Sequence, residues 1–354
     1  MTANEPGTFC YDEITSQSTA WAELIPIVIE QAESIQKICK DIEEVLFIGC
    51  GSSLNVSFSG ASIFQILTHI SARAVPAAEI YLFPDSVLKD GRKTLAVLVS
   101  RSGKSSEVLH ALDYLENRTV PTIGITCQEE SPLAEKSDLA LVLKPVVEKA
   151  VPTTRSVTGM LITLQLLAAI ISENTGLIHE IQRLPEICKE QMPAFLELGK
   201  TLGSRTDLTR YAFVGNGPFF GQARECQLKI KEMTLSPADA YPMFDFRHGP
   251  QSTVGEHMLV TAMISDSAQR QEIQFLQDMK NLGGVTWALC DRADQTLRSS
   301  ADALIELNSG LSELARGALY MPSIQFMAYF RALSLGLNPD EPHNLSYWIN
   351  VPNS

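Results

Sequence analysis

The sequence predicts an α/β protein made of two similar units in tandem, each a parallel sheet covered by helices. Three observations carry this. First, residues 43–67 (EEVLFIGCGSSLNVSFSGASIFQIL) and 209–233 (TRYAFVGNGPFFGQARECQLKIKEM) read alike: an apolar run of strand length, a Gly-x-Gly turn, then a helical pattern. Second, the echo continues downstream at an offset of about 165 residues, far longer than the period of a solenoid repeat. Third, within each half short apolar runs alternate with helix-like segments, the pattern of a parallel sheet with helices on both faces.

The elements follow in order. Residues 1–40 read as a mostly helical arm. The first strand is VLFIG, ending at Gly49, and its helix follows Gly51. KTLAVLVS ends a second strand at Ser100, SSEVLHALDYLEN is its helix, PTIGITC the next strand, and DLALVLK a short one. A long apolar helix, SVTGMLITLQLLAAIIS, closes the half. Runs such as LAVLV and TIGIT suit strands buried on both faces. The second half repeats this with YAFVG, HMLVTAMIS, QEIQFLQDMKNLG, VTWALC, DALIELN and GALYMPSIQFMAYFRALSLG. Between the halves, residues 175–207 read as helix interrupted by Pro185 and Pro193.

Length and charge bound the function. A chain of 354 residues is long for one core and fits two domains. A formal net charge of −13 argues against a nucleic-acid or anionic-membrane surface. No run approaches the ~20 apolar residues of a membrane span, and the N-terminus lacks signal-peptide regions. The seven cysteines are scattered, odd in number and without C-x-x-C, so neither a zinc site nor a disulfide framework is expected. The expectation is a soluble cytoplasmic protein.

Ligands of such sheets bind beyond the carboxyl ends of the strands, which directs attention to the loops after Gly49, Ser100 and Gly215. Ser100-Arg101-Ser102-Gly103-Lys104-Ser105-Ser106 offers hydroxyls, a glycine and a helix start, the donors a phosphate monoester needs. An ordinary serine helix cap is the plainer reading. A Walker A loop is excluded by Leu98, where a glycine is required. Gly49-Cys50-Gly51-Ser52-Ser53 also opens a helix, but Leu54 stands where a dinucleotide fingerprint needs its third glycine. Two anion-friendly loops in one half fit a phosphorylated small molecule. In the second half, Glu232 ends a helix and His248 lies in a loop bounded by Gly249-Pro250. A carboxylate and an imidazole suit proton transfer between adjacent sugar carbons. By themselves, though, Glu232 reads as a solvated helix charge and His248 as a structural loop histidine. No histidine pair has metal-ligand spacing and no G-x-S-x-G elbow occurs.

GCGSS, SRSGKSS, KAVPTTRS, LKIKEM, DAYPMFDFRHGP and PHNL, in this order, resemble the tandem sugar-isomerase (SIS) family. That family includes the isomerase half of glutamine–fructose-6-phosphate aminotransferase, tagatose-6-phosphate ketose/aldose isomerases and amino-sugar phosphate deaminases. The resemblance implies two tandem SIS domains, each a five-stranded parallel sheet flanked by helices in a flavodoxin-like three-layer sandwich. They would occupy residues 41–175 and 208–340, with a helical linker at 176–207 and a tail, 341–354, over the site.

The resemblance also implies roles. Ser53, Ser100, Ser102 and Ser105, with Arg101 beside them, match the phosphate-holding positions, and Ser52 is counted among the substrate-binding residues. Val151 and Thr153 match a segment touching sugar hydroxyls, and Lys229 a lysine lining the site. Glu232 matches the base moving a proton between C1 and C2. His248 matches the ring-opening histidine, which in the family reaches into the partner subunit, so a homodimer with shared sites is implied. No metal and no organic cofactor is implied. Arg101 and Lys104 stand where the synthase has glutamine and glutamate. His343 and Tyr347 replace its arginine and imine-forming lysine and would be polar contacts from the tail. About 40 residues precede the first unit, so no glutaminase domain is expected. The expected function is a phosphosugar isomerase or amino-sugar 6-phosphate deaminase; the alternatives are a fructosamine-6-phosphate deglycase and a non-catalytic phosphosugar sensor.

Overall fold

A computed structural model describes residues 5–349. It contains two five-stranded parallel sheets. The first comprises β1 (Glu44–Gly49), β2 (Ser71–Pro76), β3 (Thr94–Val99), β4 (Thr122–Thr126) and β5 (Leu139–Val142), in the order β2-β1-β3-β4-β5. The second comprises β6 (Arg210–Val214), β7 (Ala238–Tyr241), β8 (Met258–Met263), β9 (Val285–Cys290) and β10 (Ala303–Glu306), in the order β10-β9-β8-β6-β7. Numbered within its own half, each sheet has the flavodoxin order, with its switch point beside the first strand. The loops that leave β1 and β3 therefore flank one crevice, and those that leave β6 and β8 flank its counterpart.

The chain divides into two compact units. Of the described residues, the first-sheet unit contains Ser16–Lys149, Arg155–Pro185 and 346–349; the second-sheet unit contains 5–15, Ala150–Thr154 and Glu186–Leu345. The arm is thus shared out: helix Thr8–Thr15 goes with the second sheet, and helix Gln17–Ile29 with the first. In the second-sheet unit, Asp340 receives the Phe9 and Cys10 N–H groups at 3.1 and 2.7 Å, and its carbonyl accepts from the Val151 N–H at 2.9 Å. These bonds fasten the short 150–154 segment to that unit. Helix Leu184–Gly203 runs through Pro193, whereas Pro185 sits in its first turn, where the missing N–H costs nothing.

In the first-sheet unit the central strands β1, β3 and β4 are buried throughout, as their unbroken apolar runs require. Helices Ser52–Thr68 and Arg155–Ile171 approach closely, because Gly60 faces Leu164 without a side chain of its own. In the second-sheet unit Phe246, Phe275 and Met279 belong to one buried cluster with strands β6, β8 and β9.

The two sheets share local details. Gly51 and Gly217 cap the helices after the first strand of each sheet with φ of 54° and 52°. Asp138 accepts from the Thr122 N–H at 2.8 Å, and Asp302 from the Thr286 N–H at 2.9 Å, each tying the start of a fourth strand to the fifth.

Candidate active site

The serine-rich loop that leaves β3, residues 100–106, stands at the switch point of the first sheet. Ser100 continues β3 by donating its N–H to Ile125 O at 2.9 Å, and the chain then turns back on itself. The Gly103 N–H donates to Ser100 O and Oγ, at 3.1 and 3.2 Å, and the Lys104 N–H to Ser102 Oγ at 3.2 Å. A hydroxyl that accepts from backbone keeps its hydrogen to donate to an anion. Gly103 is required here: its φ is +62°, and a Cβ would lie 2.2 Å from Ser131 Oγ.

Ser105 occupies the N-cap position of helix Ser106–Glu116 but makes no side-chain cap bond. Its Oγ instead faces Ser100 Oγ at 3.5 Å, so the plain capping reading does not describe it. Across the crevice, Ser53 is buried in the first turn of helix Ser52–Thr68, with Ser52 half-buried beside it. Cys50, in the same turn, has its thiol pushed up to about 11 by burial and then by the Glu107 charge, so it stays a neutral thiol.

The equivalent crevice of the second sheet is filled by the protein's own carboxylates. Glu272 accepts from the Ser265 N–H at 2.6 Å and from Asn216 Nδ2 at 2.8 Å, joining the two loops. Glu313 accepts from the Asp266 N–H at 2.7 Å and the Ser267 hydroxyl at 2.5 Å. Carboxylates thus satisfy the backbone donors of the second unit's loops.

The acid–base candidates belong to the second-sheet unit. Helix Pro218–Thr234 carries Glu225, Lys229 and Glu232 on one face, at the i, i+4, i+7 spacing. Lys229 Nζ lies 2.5 Å from Glu232 Oε2, 3.3 Å from Glu225 Oε1 and 3.1 Å from Thr153 Oγ1. The Lys229 and Glu225 side chains are fully buried, whereas that of Glu232 retains 18% exposure. A buried ammonium thus holds the reachable carboxylate in one orientation. The same geometry brings Thr153 and Lys229 together and adds Glu225, which the sequence reading had not singled out. Its signal was the acidic residue four positions before Lys229. Val151 sits half-buried in the segment pinned to Asp340.

His248 stands apart. Phe246 is buried against Tyr241 and Phe275, and Arg247 pairs with Asp278 at 2.7 Å. The turn that leads into His248 is therefore anchored, while His248 itself is exposed. His343 is also exposed. Tyr347 belongs to the first-sheet unit, where its ring lies under the Arg101 guanidinium, 3.8 Å from Cζ to centroid. Among the described residues, no cluster of three His, Cys, Asp or Glu side chains could hold a metal ion. No described helix is long and apolar enough to cross a membrane.

Crevices at the switch points of doubly wound parallel sheets are where α/β domains of this class receive their ligands. Residues 39–170, which include the first sheet, match the family model described as the SIS domain. The chain is similar over most of its length to isomerizing glutamine–fructose-6-phosphate aminotransferases. It is 24% identical to that of Methanothermobacter thermautotrophicus, covering 94% of this chain and 54% of the relative. It is 29% identical to that of Chlamydia abortus, covering 88% and 52%. The chain thus spans about half the length of the curated relatives it matches. Among solved structures, glucosamine-6-phosphate deaminase from Thermotoga maritima is 29% identical with a TM-score of 0.80, covering 97% of this chain and 99% of that one. Tagatose-6-phosphate ketose/aldose isomerase from Escherichia coli shares the fold, with a TM-score of 0.85 at 21% identity, covering 96% and 97%. The chain is thereby related to sugar-phosphate isomerases and deaminases.

Proposed function

We propose that the protein is a phosphosugar isomerase or amino-sugar 6-phosphate deaminase acting on a hexose 6-phosphate, and that deamination is its reaction. The observation that carries this is the Lys229–Glu232 pair. It is a partly exposed carboxylate oriented by a buried ammonium 2.5 Å away, in a chain that matches a deaminase along its whole length. Such a carboxylate is placed to take and return a proton rather than to serve as a solvated helix charge.

The roles are assigned residue by residue. Ser100, Ser102 and Ser105, with Ser53 across the crevice, hold the phosphate. His248, exposed just after the anchored Phe246–Arg247 turn, opens the sugar ring in a second copy of the chain, so the active form is a homodimer. Thr153 and the half-buried Val151 segment contact sugar hydroxyls. Glu232 removes the C2 proton of the open-chain aldehyde, leaving an enaminol, and returns a proton to C1. The product is a C2 ketimine with a hydroxymethyl group at C1. Water adds to this imine carbon, the C–N bond breaks, and ammonia leaves with a ketose 6-phosphate behind. The same proton transfer on a substrate without an amine is aldose–ketose isomerisation.

Ammonia release from glucosamine 6-phosphate by the purified protein tests the reading. Glu232→Gln should lower turnover about 100-fold or more while retaining sugar-phosphate binding. If both forms bind hexosamine and hexose 6-phosphates alike and neither turns any over, the protein is a phosphosugar sensor instead.

A further inference from the structure

The C-terminal residues 346–349 lie against the phosphate loop, and their contacts assign Arg101 a different task from that of a phosphate ligand. Arg101 Nη2 donates to Tyr347 O at 3.0 Å, and Nη1 lies 3.4 Å from Glu148 Oε2. The guanidinium face is covered by the Tyr347 ring. The Tyr347 hydroxyl donates to Glu148 O at 3.1 Å. Glu148 is itself held by the Ser156 N–H at 3.1 Å and by the Ser156 hydroxyl. The Arg101 and Glu148 side chains are only 8% and 0% exposed, so this is a desolvated and mutually satisfied set.

Two residues further along, Ile349 O accepts from the Ser106 N–H at 3.4 Å. Ser106 begins the helix that the phosphate loop feeds, and its N–H is one of the donors a helix start offers an anion. A guanidinium and a helix-start N–H at the loop are thus both given to carbonyl oxygens of one short strap.

We propose that residues 346–349 form an autoinhibitory strap over the phosphate site, latched by Arg101 and Tyr347. The inference rests on the 100–105 loop being that site. The strap carbonyls stand where oxygens of a phosphate monoester would be received. A phosphate carries about −1.5 to −2 charges against a carbonyl's dipole, so it displaces them and frees Tyr347 and Trp348. Apparent affinity is then the intrinsic affinity reduced by the fraction of molecules with the strap open. Arg101 is a positioning residue that sets this fraction.

Trp348 provides the readout. Its ring is 47% exposed and lies 5.8 Å from Lys104 Nζ, whereas Trp21 and Trp287 are fully buried. Inorganic phosphate titrated into the full chain should shift the Trp348 emission, and Trp348→Phe should abolish the shift. Calorimetry should show Tyr347→Ala, and a chain ending at Leu345, binding phosphate about 3- to 10-fold more tightly than the full chain. Thermal melts would show that both variants are folded. Equal or weaker phosphate binding by both variants, with Trp348 emission unmoved in the full chain, overturns the strap. Ser102→Ala separates the two ideas. Phosphate binding that depends on Ser102 but ignores the tail removes the strap and keeps the site. No phosphate binding by any form removes both.

Discussion

Lys229 and Glu232 face each other one helical turn apart, and the ammonium that fixes the exposed carboxylate is itself wholly buried. It can remain charged there because Glu225, four residues earlier, is buried with it. Removing only the lysine strands a buried carboxylate. Lys229→Met should therefore cost about 3–5 kcal/mol in urea denaturation. Adding Glu225→Gln should recover part of that loss, because the double variant no longer buries an unpaired charge. A single variant with wild-type stability would show that the cluster is not held together by this charge.

Gly103 should be far less tolerant than Gly51, although both have positive φ. A methyl at Gly103 collides with Ser131 Oγ, whereas at Gly51 it meets nothing within 4 Å. Gly103→Ala should cost about 2–4 kcal/mol, from backbone strain plus overpacking, and should weaken phosphate binding. Gly51→Ala should cost only about 1–2 kcal/mol, the strain alone. Equal losses in chemical denaturation would mean that the Ser131 contact does not matter.

Glu272 gives the second sheet a pH signature. Burial raises its pKa, opposed by bonds from the Ser265 N–H, the Asn216 amide and the Ser265 hydroxyl. A carboxyl whose folded pKa lies above its unfolded value contributes stability fully below the unfolded value, and that contribution is lost as pH rises through the folded one. The stability of wild type relative to Glu272→Gln should therefore fall between the carboxylate range and neutrality. Urea midpoints of both proteins across that window check this; a constant difference would contradict it.

Ser102 Oγ accepts from the Lys104 N–H, which leaves its own hydrogen to be donated to an anion. Ser102→Ala should weaken sugar-phosphate binding by about 1–3 kcal/mol, measured by calorimetry at constant ionic strength. An unchanged affinity would remove that hydroxyl from the site.

Much of the fold was legible because its central strands are buried on both faces, and VLFIG, LAVLV and TIGIT advertise that as unbroken apolar runs. Strands β2 and β7 were not. SARAVP and ADAY lie at sheet edges, partly exposed, and carry arginine and aspartate where a buried strand would not. The turn after β3 was legible as a candidate anion loop from its serines and Gly103, since such donors are encoded locally. Glu225 was missed because a single buried acid on an amphipathic helix looks like any surface acid. Its role depends on Thr153, 72 residues away. The pairing of Arg101 with Tyr347 spans 246 residues, and no local pattern encodes it. The carboxylates filling the second crevice were hidden likewise, since Glu313 reaches a loop 47 residues earlier.

The central claim is that Glu232 moves a proton between C1 and C2 of a hexose 6-phosphate. Nuclear magnetic resonance of glucosamine 6-phosphate and fructose 6-phosphate incubated with the protein in heavy water tests it most directly. Wild type should place solvent deuterium on C1 or C2, and Glu232→Gln should not, while both bind the sugar phosphate. Exchange that survives in Glu232→Gln, or sugar phosphates that bind wild type and never exchange, would contradict the account.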